Sequence, residues 1–157
     1  MEKLDQIDFK ILSYLQEHGR VTNVALADAV GLSTSPCLSR VKKLETLGYI
    51  KSYGARIALE MLGEYVTVFT EIKLTGHRVA NFERFLQRAR NIREIVECHH
   101  VTGGYDYLVK IVARNVSHYH GIMESLLLSD AGIGKFSSYI VLGTPIIREG
   151  YPIEELF

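Results

Sequence analysis

Cysteine and proline are scarce in this sequence of 157 residues, with two of the first and three of the second, and no segment is of low complexity. Cys37 and Cys98 lie in different halves of the chain, so a disulfide framework is not expected and a reducing compartment fits. Few prolines and no biased tracts exclude collagen-like and long disordered segments. No apolar run approaches the roughly 18 residues that cross a bilayer. The stretch from Met1 to Asp5 is too acidic and too interrupted for a signal peptide, which makes the cytoplasm the expected location. Net charge is missing too: 18 basic and 18 acidic side chains cancel, so the average gives no electrostatic reason for a nucleic-acid partner. What remains is 47% hydrophobic and 23% charged, enough for one ordinary domain or two small ones with real cores.

The zero average conceals a gradient. Residues 1–56 carry eight basic and six acidic side chains, and within 40–56 Arg40, Lys42, Lys43, Lys51 and Arg56 face only Glu45. The local period there is helical. Leu4, Ile7, Ile11, Tyr14 and Leu15 define a first helix that Gly19 stops. Thr22 can cap a short second helix ending at Gly31, and Ser33 a third that tolerates Pro36 in its first turn and ends at Gly48. Two helices joined by a tight Gly-containing turn are the helix-turn-helix pattern.

On the third helix Cys37, Val41 and Leu44 form a core stripe joined by Leu38. Ser35, Ser39 and Lys42 make one polar track, and Pro36, Arg40 and Lys43 another. Small hydroxyls at a helix start followed by cations suit phosphate contact and close approach to base edges in a major groove. On charges alone a solvated helix face is the better account of the cations; the turn pattern shifts the balance to double-stranded DNA as partner. The candidate contacts are Thr22, Ser33, Thr34, Ser35, Pro36, Ser39, Arg40, Lys42, Lys43 and Arg56, with Tyr49 to Ile57 expected to supply a small wing.

After Gly63 the period changes to two. Val66, Val68, Thr70, Ile72 and Leu74 share one face of a strand, and Tyr65, Thr67, Phe69, Glu71 and Lys73 the other. An amphipathic helix follows, with Val79, Phe82, Phe85, Leu86 and Ala89 inward. Strands over 92–101 and 105–113 are joined by Thr102-Gly103-Gly104, a helix starts at Ser117, and a last strand runs over 136–142. Strand, helix, strand, strand, helix, strand is the ferredoxin-like plan. The expected class is α+β: a winged helix-turn-helix over 1–56 and a ferredoxin-like domain over 57–157. Phe69 and Tyr139 on the open face of the sheet point to burial against an identical sheet, hence at least a dimer.

Four segments, in order, resemble the leucine-responsive and asparagine-responsive (Lrp/AsnC) regulator family: Leu4-Asp5-Gln6-Ile7-Asp8 to Leu12, Leu26 to Ser33, Arg40-Val41-Lys42-Lys43-Leu44-Glu45 to Ile50, and Val101-Thr102-Gly103-Gly104-Tyr105-Asp106-Tyr107-Leu108. The resemblance implies a DNA-binding regulator whose sheet domain binds a small effector, commonly an amino acid, near the hairpin turn, and whose dimers assemble into tetramers or octamers. Gly103 and Gly104 would let a carboxylate reach backbone N–H groups, with Thr102 and Tyr105 beside them, while Asp106 would pair with an ammonium. His100, Ser137 and Ser138 are expected neighbours. The plainer alternative is a tight hairpin that Asp106 caps without any ligand.

No catalytic residue, metal or cofactor is expected. His99 and His100 point to opposite faces of a strand, His118 and His120 diverge on a helix, and no Walker loop, dinucleotide fingerprint or nucleophile elbow occurs. One enzymatic alternative stays open, because siroheme decarboxylases resemble the same family in fold.

Overall fold

The computed structural model describes residues 3–148 and 150–157; Met1 and Glu2 of the acidic amino-terminal stretch lie outside the described residues. The chain divides into two units, 1–57 with 145–157, and 58–144, each with its own core. The expectation had been a second domain reaching to 157. The last thirteen residues instead group with the first unit, where their short closing helix contacts the first helix.

In the first unit, helix α1 spans Gln6–His18, α2 Asn23–Val30 and α3 Thr34–Thr46. Asp5 is the N-cap of α1 and forms a capping box: its Oδ1 accepts from the Asp8 N–H at 2.9 Å while Asp8 Oδ2 accepts from the Asp5 N–H at 3.2 Å. Thr22 caps α2, its Oγ1 accepting from the Ala25 N–H at 3.2 Å. Ser33 occupies the N-cap position of α3 without a side-chain capping bond. Both α2 and α3 end in Schellman turns. Gly31 and Gly48 sit at φ +73° and +78°, and the following residues, Leu32 and Tyr49, donate back to the carbonyls of Ala27 and Leu44 at 2.9 and 3.0 Å. Ile11, Leu26, Ala27, Val30, Cys37, Val41 and Leu44 form the core, with Tyr49 and Ile50 packed on its edge.

The expected wing is not built as a strand. Residues 51–58 have no regular structure, and the Tyr49 and Ile50 N–H groups just before them bond to the Leu44 carbonyl. Tyr53 instead donates its hydroxyl to Glu45 Oε1 at 2.9 Å. Beyond 145, a short helix α6, Ile153–Leu156, packs on α1.

The second unit opens with a single 3-10 turn, Leu59–Met61, then β1 Val66–Leu74, α4 Val79–Ala89, β2 Ile95–His100, β3 Tyr107–Ala113, α5 Val116–Leu128 and β4 Ile133–Ile140. The strands pair antiparallel in the order β2-β3-β1-β4, the ferredoxin-like arrangement. β1 is central, and its alternation puts Val68, Thr70, Ile72 and Leu74 in the core with Phe85, Tyr107, Val109, Ile111, Met123 and Leu126. Phe69, Glu71, Leu108, Lys110, Val112, Ser137 and Tyr139 share the opposite face by register. Several details differ from the sequence reading, the shorter β2 and β3 among them. Asn115, not Ser117, caps α5, since its Oδ1 accepts from the His118 N–H at 2.8 Å. β4 begins three residues earlier, where a register shift at Lys73/Leu74 lets Ile133 pair with β1. Val79, the first residue of α4, is exposed and not on its inner face.

Thr70 is fully buried, and its hydroxyl is satisfied by Tyr119 Oη at 2.9 Å; Tyr119 Oη also bonds Ser138 Oγ. Tyr119→Phe should therefore destabilise the second unit by about 1–3 kcal/mol, the cost of stranding a buried hydroxyl. Urea unfolding of parent and variant measures this, and an unchanged midpoint would show the hydroxyl network to be dispensable.

Candidate DNA interface and effector loop

Helix α3 presents its two sides as the apolar spacing requires. Cys37, Val41 and Leu44 are buried, Leu38 is half-buried, and Ser33, Thr34, Ser35, Pro36, Ser39 and Lys42 are exposed together on the outer side, with Lys43 half-buried. Thr22 stands at the start of α2, committed as its cap, and Arg56 lies in the irregular segment after Ile50.

Arg40 also makes contacts inside the unit. Its Nη1 lies 2.7 Å from Asp5 Oδ2 and 2.7 Å from Asp8 Oδ1, so the guanidinium spans the N-terminal turn of α1. The reason is the burial of Asp8, whose residue surface is 2% exposed. A carboxylate so placed needs a cation and hydrogen bonds to offset its desolvation, and Arg40 supplies both in a forked geometry. The Asp8 N–H first, then Arg40, hold the Asp5 carboxyl below its ordinary range, and the two aspartates in turn raise Arg40. Spacing along α3 put Arg40 on a polar track; it carried no information about a carboxylate 32 residues upstream.

In the second unit the loop 101–106 joins β2 to β3. The Val101 N–H donates to the Asp106 carbonyl at 3.0 Å and closes it. Thr102, Gly103 and Gly104 are exposed, and Gly103 sits at φ +120°, a conformation open to glycine and strained for other residues. Among the described residues nothing bonds the N–H groups of Gly103 and Gly104.

Asp106, expected to pair with an ammonium, has partners within its own unit. Oδ2 accepts from the Leu74 N–H at 2.7 Å, Oδ1 lies 3.3 Å from His77 Nε2, and the side chain is nearly buried. Asp106 thus ties the loop to the end of β1, a capping role like the plainer reading given above. His100 reaches the site's rim, its ring 5.1 Å from those of Phe82 and Tyr107. Ser137 and Ser138 are not brought there. They lie on opposite faces of β4, which is separated from β3 by β1, and Ser138 is spent on Tyr119. His77 and Phe82 are the loop's true neighbours; sequence reading missed His77 because it follows β1 in a segment without periodicity. Among the described residues no group of three or more His, Cys, Asp or Glu is placed to hold a metal ion, and no helix is long and apolar enough to cross a membrane.

A helix-turn-helix with an exposed hydroxyl and cation face, carried with a ferredoxin-like unit that bears a glycine loop, defines a class of DNA-binding regulator with a separate ligand domain. Comparison with known proteins agrees: residues 4–51 match the model of winged helix-turn-helix DNA-binding domains, and residues 67–151 that of the Lrp/AsnC ligand binding domain. The chain is 42% identical over 142 residues to the transcriptional regulatory protein DoeX of Halomonas elongata, covering 90% of each. It is 40% identical over 139 residues to the leucine-responsive regulatory protein of Escherichia coli, covering 88% of this chain and 85% of that one. A crystal structure of a Neisseria meningitidis transcriptional regulator in complex with L-methionine superposes with a TM-score of 0.91 at 32% identity, over 99% of this chain and 100% of that one. The chain belongs to the Lrp/AsnC family and is a DNA-binding transcriptional regulator with a ligand-binding domain. It is a regulator and not an enzyme, and the siroheme-decarboxylase alternative is set aside.

Arg40→Ala should cost about 2–3 kcal/mol of stability by stranding Asp8, and should weaken binding to every DNA sequence alike without relaxing base preference. In the same variant the Asp5 carboxyl, followed by NMR, should rise part of the way toward its ordinary range, the Asp8 N–H still holding it down. Because its folded value lies below the unfolded one, the stabilisation is complete above the ordinary carboxylate range and fades as pH falls through the folded value. An Asp5 titration indifferent to Arg40 would refute the clamp.

Proposed function

We propose that the protein binds double-stranded DNA with the exposed side of α3, as a homodimer that can assemble further into tetramers or octamers, and that an α-amino acid held at the loop 101–106 adjusts this binding. The site of action is the cytoplasm, beside the DNA it controls. The observation that carries the reading is the division of labour between the units: α3 keeps Ser35, Ser39 and Lys42 exposed after its core and its clamp are satisfied, while the loop keeps the Gly103 and Gly104 N–H groups open.

On the DNA side, Thr34, Ser35, Pro36 and Ser39 are small enough for close approach to base edges, and Lys42, Lys43 and Arg56 supply phosphate contacts. Ser33, whose side chain makes no cap, and Thr22 stand at helix N-termini, where backbone N–H groups favour a phosphate. On the effector side, the carboxylate would rest on backbone donors from Thr102 to Tyr105, with His100, Phe82 and His77 as the surrounding wall. The L-methionine complex of the Neisseria relative supports an amino acid as ligand. For the dimer, the support is the open sheet face, on which Tyr139 remains 54% exposed and shares the surface with Phe69, Leu108 and Val112.

Two variants test the two halves. Lys42→Ala should weaken binding to a duplex selected from a random pool and lower the slope of log K against log salt by about 1; an unchanged slope would remove Lys42 from the interface. Gly103→Val, forced into a strained φ, should lose calorimetric binding of the amino acid that the parent binds, while retaining DNA binding. Retained ligand affinity would move the effector site elsewhere.

A further inference from the structure

The first unit is discontinuous: the chain leaves it at 57/58, forms the whole sheet unit, and returns at 144/145. The returning tail is held on α1 by a specific contact. Gln16 Nε2 donates to the Tyr151 carbonyl at 2.7 Å, and the Tyr151 N–H donates to Gln16 Oε1 at 2.9 Å, so one carboxamide pairs with both backbone groups of one residue. Gly150 lies flat against the same side chain, and a Cβ there would overlap Gln16 Cγ and Cδ. The seam is otherwise thin. Tyr151 is 80% and Phe157 86% exposed, α6 buries no residue, and an open groove of about 880 Å³ runs along the tail past Ser13, Glu17 and Glu154.

A geometrically specific contact with little buried apolar surface is the kind that opens without unfolding the rest. With the tail docked, the sheet unit is joined to the DNA-binding unit at two points of the chain. With it released, the connection at 57/58 would be a single tether in place of two. Orientation matters to a dimer that must place two recognition helices on two half-sites. We propose that the Gln16–Tyr151 latch is the element through which the ligand-binding unit acts on DNA binding. The proposal rests on the amino-acid reading above for its ligand, but not for its DNA arm.

The test uses the full chain. Gln16→Glu keeps an acceptor for the Tyr151 N–H but loses the donor and sets a negative oxygen against the Tyr151 carbonyl; Gly150→Val cannot seat beside Gln16. Amide exchange at Tyr151 is followed in the parent, free and bound to a duplex selected from a random pool, and should change at least threefold on DNA binding. DNA affinity is then measured with and without the amino acid that binds the parent in calorimetry. Both variants should bind that amino acid within twofold of the parent yet shrink its effect on DNA affinity at least threefold. Equal Tyr151 exchange in the free and DNA-bound parent, or a full response in both variants, overturns the latch. If none of the twenty amino acids binds the parent, the effector reading is what fails, and DNA affinity decides the latch: a change of at least threefold in both variants sustains it, and parent-like affinity in both refutes it.

Discussion

A polar group taken out of water must find a partner inside the protein, and this constraint organises both units. Among the described residues no buried side-chain nitrogen or oxygen is left without one. Asp8 is satisfied by the Asp5 N–H and by Arg40, Thr70 by Tyr119, and Asp106 by the Leu74 N–H and His77. Each pairing joins elements that the chain itself separates: the start of α1 with α3, the central strand with α5, and the loop after β2 with the end of β1. These bonds fix orientation more than they add net stability, because each largely replaces a bond to water.

The same pairings decide which groups remain for other molecules. Arg40 holds α3 against α1, and the outer hydroxyls and Lys42 stay exposed on a helix whose position is fixed on its inner side. Asp106 is consumed in anchoring the loop, which leaves backbone donors at Gly103 and Gly104 as its available chemistry. In both places a charged side chain supports the site and smaller groups form its surface. Preorganisation of this kind lowers the entropy lost when a partner binds.

The contrast between the cores and the tail follows from the same accounting. The cores close over Ile11, Leu26 and Leu44 in one unit and Ile72, Phe85 and Ile111 in the other, where burial is complete. The tail has only a bidentate contact at Gln16 and a four-residue helix. Segments of low local stability are where proteins open reversibly, so the tail is the part of this chain least bound to one arrangement.

Helices and strands were legible because their signals are local. The 3.6-residue stripe of Leu4 to Leu15, the glycines at 31 and 48 that favour a left-handed turn, and the two-residue alternation of Val66 to Leu74 each need only neighbouring residues to act. Element order then constrained the sheet to its ferredoxin-like topology. The family was legible for the same reason, in short motifs carried by those elements. Caps, pairings and assignments to a unit were decided by the tertiary structure. Asn115 rather than Ser117 starts α5, Arg40 pairs with Asp8, Ser138 turns inward to Tyr119, and Tyr151 returns to Gln16 across 135 residues. For Arg40, Ser138 and Tyr151 the partner lies well away in sequence, and a side chain able to make several bonds takes the one that the fold brings to it.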